Sequence, residues 1–226
     1  MKKHLVFLTG AGMSAESGIS TFRDSNGLWE NHAITDVATP EGFERNPGLV
    51  LEFYNARRKQ LFEVEPNLGH QLIAELENEY DVSVVTQNVD DLHERAGNTN
   101  VWHLHGELRK VRSTTNPDLI YKWEKDLNLG DMCENNSQLR PHIVWFGEQV
   151  PLMDKAIDIV TNADVIVVIG TSLQVYPAAG LMDYARTNCP VFYIDPNPII
   201  QSSGRIEVIS KIASEGMKEL IEKHLH

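Results

Sequence analysis

The sequence predicts an α/β fold, a Rossmann-like doubly wound parallel sheet with a small inserted subdomain. Two observations support it, and the first is a set of short apolar runs that each end at a polar or glycine turn, at residues 4–9, 82–86, 164–169 and 191–194. Such runs, β-branched and mostly apolar on both faces, are typical of buried parallel strands. The second is the alternation of these runs with helical stretches, predicted at residues 68–79, 153–162, 178–187 and 212–225. Alternating strands and helices indicate an open sheet with helices on both faces.

The length of 226 residues suits one large domain with small insertions. We interpret residues 1–226 as a single domain whose insertions cover about 20–60 and 109–141. The second insertion is polar, irregular and poor in aliphatic residues, so we expect a small excursion from the main sheet.

Charge and composition exclude several classes of protein. The net charge of −12 argues against nucleic acid as the main partner. The longest aliphatic run, residues 165–169, is too short to span a membrane, and the basic MKKH start leads into a strand rather than a secretion signal. Cys133 and Cys189 are too far apart in the chain for a disulfide framework or a CxxC pair, which favours a reducing, cytoplasmic setting.

A glycine turn follows the first predicted strand. Gly10-Ala11-Gly12-Met13-Ser14-Ala15 fits the pattern G-x-G-x-x-[GA], which lets a pyrophosphate approach the backbone and the start of a helix. The alternative is a plain turn that closes a strand. An ordinary dinucleotide-binding unit would continue into a second strand, but this chain enters a polar loop with Phe22 and Arg23. That loop is either a lid over a cofactor or an ordinary surface loop.

Polar residues follow the second predicted strand. Gln87, Asn88 and Asp90 suit recognition of an amide or a ribose, although Asn88 or Asp90 could instead cap a helix. Further on, His103 and His105 are two residues apart, and either share a face or diverge where the chain turns. A histidine of near-neutral pKa suits general-base catalysis, although a single histidine is more often structural. No third ligand is spaced for a metal.

The later turns repeat the pattern. Gly170, Thr171 and Ser172 follow the third run and offer donors to a phosphate or ribose, or else begin a capped helix. Asp195 ends the fourth run, where its carboxylate could bind ribose hydroxyls or form a turn before proline.

Together, and in this order, these blocks resemble the sirtuins, the NAD-dependent protein lysine deacylases. The matching blocks cover nearly the whole chain: GAGMSAESGISTFRD, TQNVDDLHERAG, HLHGEL, RPHIVWFGE and GTSLQVYPAAG. DVATPEGF, FYNARRKQL and NVDDLHERAGNTNV look most like the bacterial class III, desuccinylase-like members.

The resemblance implies an enzyme that uses NAD and transfers an acyl group from lysine to ADP-ribose. It implies that His105 is the catalytic base and that Asn88 and Asp90 act beside it. Phe22 would shield the reacting C1′ atom, and Arg23 would take the phosphates or order the loop. The remaining implied cofactor-binding residues are Gly10, Ala11, Gly12, Ser14, Ala15, Trp29, Gln87, Val89, Gly170, Thr171, Ser172, Asp195, Asn197 and Ala213.

The implied reaction begins when nicotinamide leaves C1′ as the acyl oxygen attacks. His105 then deprotonates a ribose hydroxyl, and the products are free lysine and O-acyl-ADP-ribose. The implied partners are acylated-lysine proteins or peptides, with no nucleic acid and no membrane.

The resemblance also implies a substrate site. Val144, Trp145, Phe146 and Gly147 match the segment that pairs with the substrate backbone, although the segment is apolar enough for a core strand. Tyr54 and Arg57, three apart on a predicted helix, match a pair that binds the carboxylate of succinyl- or malonyl-lysine, with Ala38 widening the pocket. The alternative is a solvated helix face, because Arg58 and Lys59 follow at once.

The sequence departs from the family at two points. Most sirtuins hold zinc with two cysteine pairs, but Ser113 stands near a first-pair position and only Cys133 remains in the second cluster. One thiol cannot form a tetrahedral sulfur site, so we predict no zinc and a segment held by packing around Ile120, Tyr121 and Trp123. The second departure is Asp195, where the family more often has asparagine. The competing functions are an NAD-dependent protein ADP-ribosyltransferase and a non-catalytic NAD or ADP-ribose sensor.

Overall fold

The computed structural model describes residues 2–20, 28–29 and 32–225, with backbone alone at 28–29. The strands are β1 (His4–Thr9), β2 (Leu28–Trp29), β3 (His32–Ala33), β4 (Asp81–Thr86), β5 (Val101–His103), β6 (Gly106–Ser113), β7 (Ile120–Lys122), β8 (Leu139–Ile143), β9 (Val165–Ile169), β10 (Val191–Ile194) and β11 (Ile206–Ile209). The α-helices are α1 (Ile34–Val37), α2 (Pro40–Arg45), α3 (Pro47–Leu61), α4 (Leu68–Glu75), α5 (Leu92–Ala96), α6 (Met153–Thr161) and α7 (Ala213–His224). Short 3₁₀ helices cover Ala11–Met13, Ala15–Ser17, Leu76–Asn78 and Ala178–Tyr184.

The main sheet confirms the predicted fold class. Its six strands lie in the order β11-β10-β9-β1-β4-β5, and every neighbouring pair is parallel. The four apolar runs form its four inner strands, β1, β4, β9 and β10, because side chains buried on both faces favour that position. The edge strands β5 and β11 were missed, since three or four residues with polar members carry little hydrophobic pattern.

Helices cover both faces of this sheet. On one face α4 and α7 pack through Ile73, Met217 and Leu220 against β1, β4 and β9. On the other face α6 and the 3₁₀ helix Ala178–Tyr184 pack through Ile159 and Leu181. The α-helix predicted at 178–187 is therefore wrong in type, and Gly180 within it lowers the propensity for a regular helix.

A second sheet replaces the irregular segment that the sequence predicted. The antiparallel strands β7, β6 and β8 form it, beginning at Gly106 and ending at Ile143. Its core also differs from the prediction, because Ile120 is 44% exposed while Tyr121 and Trp123 only border the cluster. The buried members of that cluster are Leu51, Val111, Leu127, Cys133 and Leu139.

The helix α3 packs against the small sheet. Arg58 is buried, with Nε donating to the Leu108 carbonyl (2.8 Å) and Nη1 to Asn55 Oδ1 (2.8 Å). Asn55 in turn donates to the Leu127 carbonyl (3.0 Å). The alternative of a solvated helix face is therefore wrong for Arg58, although Lys59 is exposed. Among the described residues, no helix has the length and apolarity to cross a membrane.

Candidate active site

The strands of the main sheet end together at one edge, because all their pairings are parallel. Five of the six strands, all except β11, pass directly into a turn that the sequence had singled out, and these turns begin at Gly10, Gln87, Leu104, Gly170 and Asp195. Open parallel sheets bind their ligands beyond this edge. The separate motifs are thereby brought into one site.

The glycine turn after β1 packs against the turn after β9. Gly10 N–H donates to the Ile169 carbonyl (3.0 Å), and Gly12 N–H donates to the Gly170 carbonyl (2.8 Å). A Cβ at Gly12 would lie 2.7 Å from Gly170 Cα, which no side chain tolerates. Glycine is therefore required here by the contact between the two turns, a reason that the sequence pattern did not contain.

The helix predicted after this turn is wrong. Two 3₁₀ turns, Ala11–Met13 and Ala15–Ser17, replace it. Gly18, at φ 95°, ends the second one, because a left-handed residue terminates a helix. Turns this short carry little dipole, so a long helix N-terminus contributes nothing to this site.

Ser14, Asn88 and Asp90 form a buried polar network between the turns after β1 and β4. Asn88 Nδ2 donates to Ser14 Oγ (3.0 Å), and Ser14 Oγ donates to Asp90 Oδ2 (2.9 Å). Asp90 Oδ1 also accepts from the N–H of Leu92 (3.2 Å), the first residue of α5. The alternative that Asn88 or Asp90 is the helix N-cap is wrong, because Asp91 occupies that position. Burial raises the pKa of Asp90, against the lowering effect of its hydrogen bonds. The network fixes three polar side chains before any ligand binds.

The ring of His105 is held in one tautomer. Its Nδ1 lies 3.1 Å from the Gln87 carbonyl oxygen, which can only accept. Nδ1 therefore carries the proton, and Nε2 is the basic nitrogen. Burial lowers the pKa of His105, partly opposed by the Gln87 carbonyl. The ring is thus neutral near pH 7, as a general base requires.

His103 diverges from His105 and has a different environment. Its Nδ1 donates to the Asn88 carbonyl (3.0 Å), and its Nε2 lies 2.7 Å from Glu94 Oε1. Burial alone would lower the pKa of His103, but the hydrogen bond and charge of Glu94 raise it above its ordinary value. The resemblance gave the role of base to His105 and no catalytic role to His103. The motif pattern did not single out Glu94, since only the turn of α5 brings it to the ring.

We expect Glu94→Gln to destabilise the fold mainly in mildly acidic solution. Because the pKa of His103 is raised in the folded chain, its protonated form stabilises the fold at pH values below the unfolded pKa, and this stability is lost as the pH rises through the folded pKa. The lowered pKa of Glu94 contributes stability that is lost only in stronger acid. Because Glu94 is partly exposed, we expect about 1 kcal/mol or less in urea unfolding near pH 5.5, and a smaller difference near pH 8.5. Glu65→Gln, in an exposed pair with Arg95, is the control. An equal loss at both pH values would contradict the assignment.

The turn after β9 is held by Thr171. Its Oγ1 accepts from Gln87 Nε2 (3.3 Å) and from Leu173 N–H (3.2 Å). The alternative of a capped helix start is wrong, because the next helical segment begins at Ala178, well past Ser172. Gln87 and Thr171 thus join the turns after β4 and β9.

Asp195 forms a turn, which was the alternative to ribose binding in the sequence analysis. Its Oδ1 accepts from the N–H of Asn197 (2.8 Å), and the carboxylate is buried while Asn197 is exposed. A buried carboxylate at the end of β10 remains placed beside the other turns. Binding of a ribose by Asp195 and Asn197 stays a prediction.

Ala213 lies at the first residue of α7, with its side chain in the core of the main sheet. The same helix start is bound by Glu16, whose carboxylate accepts from Ser214 N–H (2.9 Å) and Ser214 Oγ (2.5 Å). Glu16 follows Ala15, so α7 begins next to the glycine turn. Sequence reasoning missed this contact, which joins residues 198 positions apart.

Some predicted residues cannot be located. Phe22 and Arg23 lie outside the described residues, and for Trp29 only the backbone, in β2, is described. Val89 is half-buried, and its carbonyl accepts from Leu108 N–H (2.8 Å), which ties the turn after β4 to β6.

Tyr54 and Trp145 form a buried pair between α3 and the chain after β8. Trp145 Nε1 donates to Tyr54 Oη (3.0 Å), and both side chains pack in one cluster with Ala38. Ala38 is also joined to the segment after β8, since its carbonyl accepts from Phe146 N–H (2.9 Å). Burial raises the pKa of Tyr54, so its hydroxyl stays protonated in neutral solution.

Arg57 lines a cavity of about 380 Å³ beside α3. Its guanidinium carbon lies 5.7 Å from the ring centre of Phe53, which lines the same cavity together with Glu52 and Gln60. Tyr54 is not among the cavity-lining residues, so the expectation that both side chains reach one pocket stays a prediction.

The segment predicted to pair with a peptide has its amide hydrogens engaged. Val144 N–H donates to the His105 carbonyl (2.9 Å) and Trp145 N–H to Glu148 Oε2 (2.8 Å). The alternative of a core strand predicted that this segment is buried. Trp145 is buried, whereas Phe146 is 45% exposed. The segment lies beyond the last residue of β8, so it is not a strand of this sheet. Gly147, at φ 91°, turns the chain there.

The residues at the expected zinc position do not fit zinc. Ser137 Oγ lies 2.7 Å from Ser113 Oγ, 2.8 Å from Thr115 Oγ1 and 3.0 Å from Cys133 Sγ. Neutral hydroxyls are poor zinc ligands. Within the described ranges, no group of three histidine, cysteine or acidic side chains is placed to hold a metal. A hydrogen-bonded hydroxyl and thiol cluster occupies this position instead.

We expect Ser137→Ala to destabilise the small sheet by about 1–3 kcal/mol, because it leaves hydrogen-bonding partners unsatisfied. Urea unfolding measures the effect, with the exposed Ser210→Ala as control. Adding EDTA to the natural chain should leave unfolding unchanged, and metal analysis should find no stoichiometric zinc. A zinc ion per chain, or unfolding on chelation, would contradict this expectation.

The polar groups at the sheet edge fit NAD. Asp90 and Asp195 place buried carboxylates where ribose hydroxyls can donate, and Asn88 adds a buried amide. Burial of three such groups in one place costs free energy unless they serve a ligand or each other. Their chemistry matches a molecule with sugar hydroxyls and a carboxamide.

Comparison with known proteins agrees with this geometry. Residues 10–177 match the Sir2 family. The chain is 55% identical over 222 residues to an "NAD-dependent protein deacylase" of Helicobacter pylori, covering 98% of this chain and 97% of that protein. It is 56% identical over 225 residues to a protein of the same name from Bacteroides thetaiotaomicron, covering 96% of each.

A solved structure shares the fold. A crystal structure of a Sir2 homologue–NAD complex superposes with a TM-score of 0.85 at 40% identity, covering 98% of this chain and 89% of that one. The match extends over both sheets and includes the motifs at the edge of the main sheet. This chain belongs to the Sir2 family.

Proposed function

We propose that this chain is an NAD-dependent protein lysine deacylase that removes succinyl and malonyl groups as well as acetyl groups. The proposed reaction consumes NAD, an acylated lysine and one water molecule, and its products are nicotinamide, free lysine and O-acyl-ADP-ribose. The names of its relatives support the coarser activity, and the residues around Tyr54 and Arg57 support the acyl range.

One observation carries the proposal. His105 presents Nε2 as a base at the sheet edge where Asn88 and Asp90 are already ordered. A neutral imidazole held by a backbone carbonyl can take a proton from a hydroxyl without first rearranging. Buried amide and carboxylate groups beside it can bind the sugar that carries that hydroxyl.

NAD, when bound, supplies the electrophilic C1′ of its nicotinamide ribose and the ribose hydroxyls. In the proposal Asn88 and Asp90 bind and orient that ribose, and His105 Nε2 takes the proton from one of its hydroxyls. The proton moves to a ring already donating through Nδ1 to the Gln87 carbonyl, which steadies the imidazolium. Ser14 holds both Asn88 and Asp90 in place.

The surrounding turns complete the proposed cofactor site. We assign its backbone-lined part to Gly10, Ala11, Gly12, Ala15 and Gly170. We assign its remaining part to Gln87, Val89, Thr171, Ser172, Asp195, Asn197 and, at the start of α7, Ala213. We assign to Phe22 and Trp29 the exclusion of water, and to Arg23 the phosphates. Closing such a site to water strengthens each electrostatic contact within it.

The proposed substrate segment is 144–147, which would pair with the peptide backbone. Its N–H groups at Val144 and Trp145 are engaged within the chain, so pairing relies on the carbonyl groups and on Gly147. Main-chain pairing gives affinity with little dependence on peptide sequence.

The acyl range rests on Tyr54, Arg57 and Ala38. Arg57 places a positive charge at the wall of a cavity, and a guanidinium binds a carboxylate through two hydrogen bonds. Ala38 lies in one cluster with Tyr54, and in the proposal its small side chain widens the acyl pocket.

The test is turnover by the purified full-length chain with NAD and acetyl-, succinyl-, malonyl- and butyryl-lysine peptides. We expect mass spectrometry to find O-acyl-ADP-ribose and free lysine, with succinyl and malonyl peptides preferred over the uncharged butyryl peptide. Absence of nicotinamide release would refute the activity. ADP-ribose attached to protein would indicate the ADP-ribosyltransferase, and binding without turnover would indicate the sensor.

The proposed setting is the cytoplasm, with the chain acting as a single catalytic domain over 1–226 and with small insertions at about 20–60 and 109–141. Both cysteines are free, which suits a reducing compartment. The net charge of −12 supports partners other than nucleic acid or anionic membranes.

A further inference from the structure

Trp145 joins the segment proposed for the peptide to the helix proposed for the acyl group. It belongs to the segment 144–147, yet its indole points into the core and reaches Tyr54 on α3. The two residues lie 91 positions apart in the chain. No sequence motif connects them.

The direction of this hydrogen bond is determined by chemistry. An indole N–H can only donate, so Tyr54 Oη is the acceptor at 3.0 Å. The hydroxyl proton of Tyr54 is therefore turned away from Trp145. Any hydrogen bond that Tyr54 Oη donates must therefore go to a group other than Trp145.

The indole itself is held on several sides. The guanidinium carbon of Arg140 lies 3.3 Å from the ring centre, and the Phe43 ring lies 5.3 Å away, centre to centre. Arg140 is anchored by Glu148, at 2.6 Å from Nη1, and Glu148 also accepts the backbone N–H of Trp145. A side chain locked by such contacts holds its partner more precisely than a mobile one.

The electrostatic setting favours a protonated tyrosine. Burial raises the pKa of Tyr54, and the charges of Arg57 and Arg140 oppose this only in part. A phenol that remains protonated can donate a hydrogen bond to a carboxylate, whereas a phenolate would repel it.

We propose that Trp145 is a positioning residue for acyl specificity, which directs the Tyr54 hydroxyl towards the distal carboxylate of a succinyl- or malonyl-lysine. The inference rests on the proposed deacylase function. Trp145 acts through Tyr54 and has no part in the steps at His105. Its loss therefore affects charged acyl groups more than acetyl.

The test compares Trp145→Phe with the natural chain on succinyl- and acetyl-lysine peptides. We expect the succinyl-to-acetyl ratio of kcat/KM to fall about five- to tenfold, through the KM for succinyl, as loss of one hydrogen bond predicts. A loss shared equally by both peptides reports on peptide binding and cancels in this ratio. Because both activities are measured on one sample, their ratio is independent of the folded fraction. Trp123→Phe is the matched control, since Trp123 Nε1 has no hydrogen-bond partner in the described part of the chain.

A double-mutant cycle with Tyr54→Phe decides whether Trp145 acts through that hydroxyl. We expect Tyr54→Phe to add little to the succinyl defect of Trp145→Phe. Additive defects, or an unchanged succinyl-to-acetyl ratio in Trp145→Phe, would overturn the inference. A second outcome separates the two proposals: the natural chain removes succinyl groups, Arg57→Met abolishes this activity, and Trp145→Phe keeps the succinyl-to-acetyl ratio. In that case only the inference about Trp145 fails. If the natural chain removes no succinyl at all, the acyl proposal and this inference fail together.

Discussion

His105→Ala is expected to reduce deacylation by about 10²- to 10⁴-fold, the contribution that a positioned general base makes. The residue has a role that no neighbour can take over, because His103 has Nδ1 on the Asn88 carbonyl and Nε2 on Glu94. His103 is thus turned away from the sheet edge where His105 presents Nε2. Mass spectrometry of the deacylated peptide measures the loss.

The fold and the cofactor site should survive this substitution. His105 contacts the Gln87 carbonyl but does not belong to the Ser14 network, so ADP-ribose binding by calorimetry should change little. His224→Ala, on the last helix, is the control for loss of an imidazole. Retention of deacylation within about threefold in His105→Ala would show that another group is the base.

The pH dependence of the natural chain reports on the same residue. Burial lowers the pKa of His105, so the neutral form extends to more acid solution than for an ordinary histidine. We expect the acid limb of kcat/KM to fall below about pH 6.5, the usual histidine value. The measurement should cover the range in which the fold is stable by circular dichroism.

Arg57→Met is expected to lower desuccinylation by about 10²-fold, because it removes a charge-assisted, bidentate contact to the acyl carboxylate. Deacetylation should fall by less than about threefold, since an acetyl group presents no carboxylate. Methionine retains much of the apolar stem of arginine beside Phe53. The measured quantity is the ratio of kcat/KM for the two peptides.

Two controls sharpen this result. Lys59→Met removes a positive charge from an exposed position of the same helix, where the partner is Asp126, and should leave the ratio unchanged. A butyryl-lysine peptide has nearly the succinyl length without the charge, so Arg57→Met should affect it little. Equal losses on succinyl and acetyl peptides would remove the pocket proposal and leave the deacylase activity in place.

Much of the main sheet was predictable from local pattern. The runs at 4–9 and 191–194 became β1 and β10 with the same bounds, because a strand buried on both faces imposes apolar residues throughout. The helices that alternate with these strands were predictable as well, because their apolar residues also follow a local pattern. Weakly patterned elements were missed or wrong. The small sheet is the main example, because charged residues occupy four of the eight positions of β6.

The site divides in the same way. Motifs directly after strands, such as those at Gly10 and Gln87, could be expected at one edge because parallel strands end together. The roles within the motifs could not. The glycine at 12 is required by Gly170, and the ring of His103 holds the Asn88 carbonyl. Both depend on partners distant in sequence.

By itself the sequence determined the family, the parallel sheet and the identity of the polar residues that collect at its edge, because each of these is written in local spacing and residue type. Only the tertiary structure decided how those residues are used: the tautomer of His105, the ion pair of His103 with Glu94, and the hydrogen bond from Trp145 to Tyr54. Hydrogen bonds join atoms that meet after folding, across separations as large as 91 residues. Their geometry is a property of packing, which no local pattern contains.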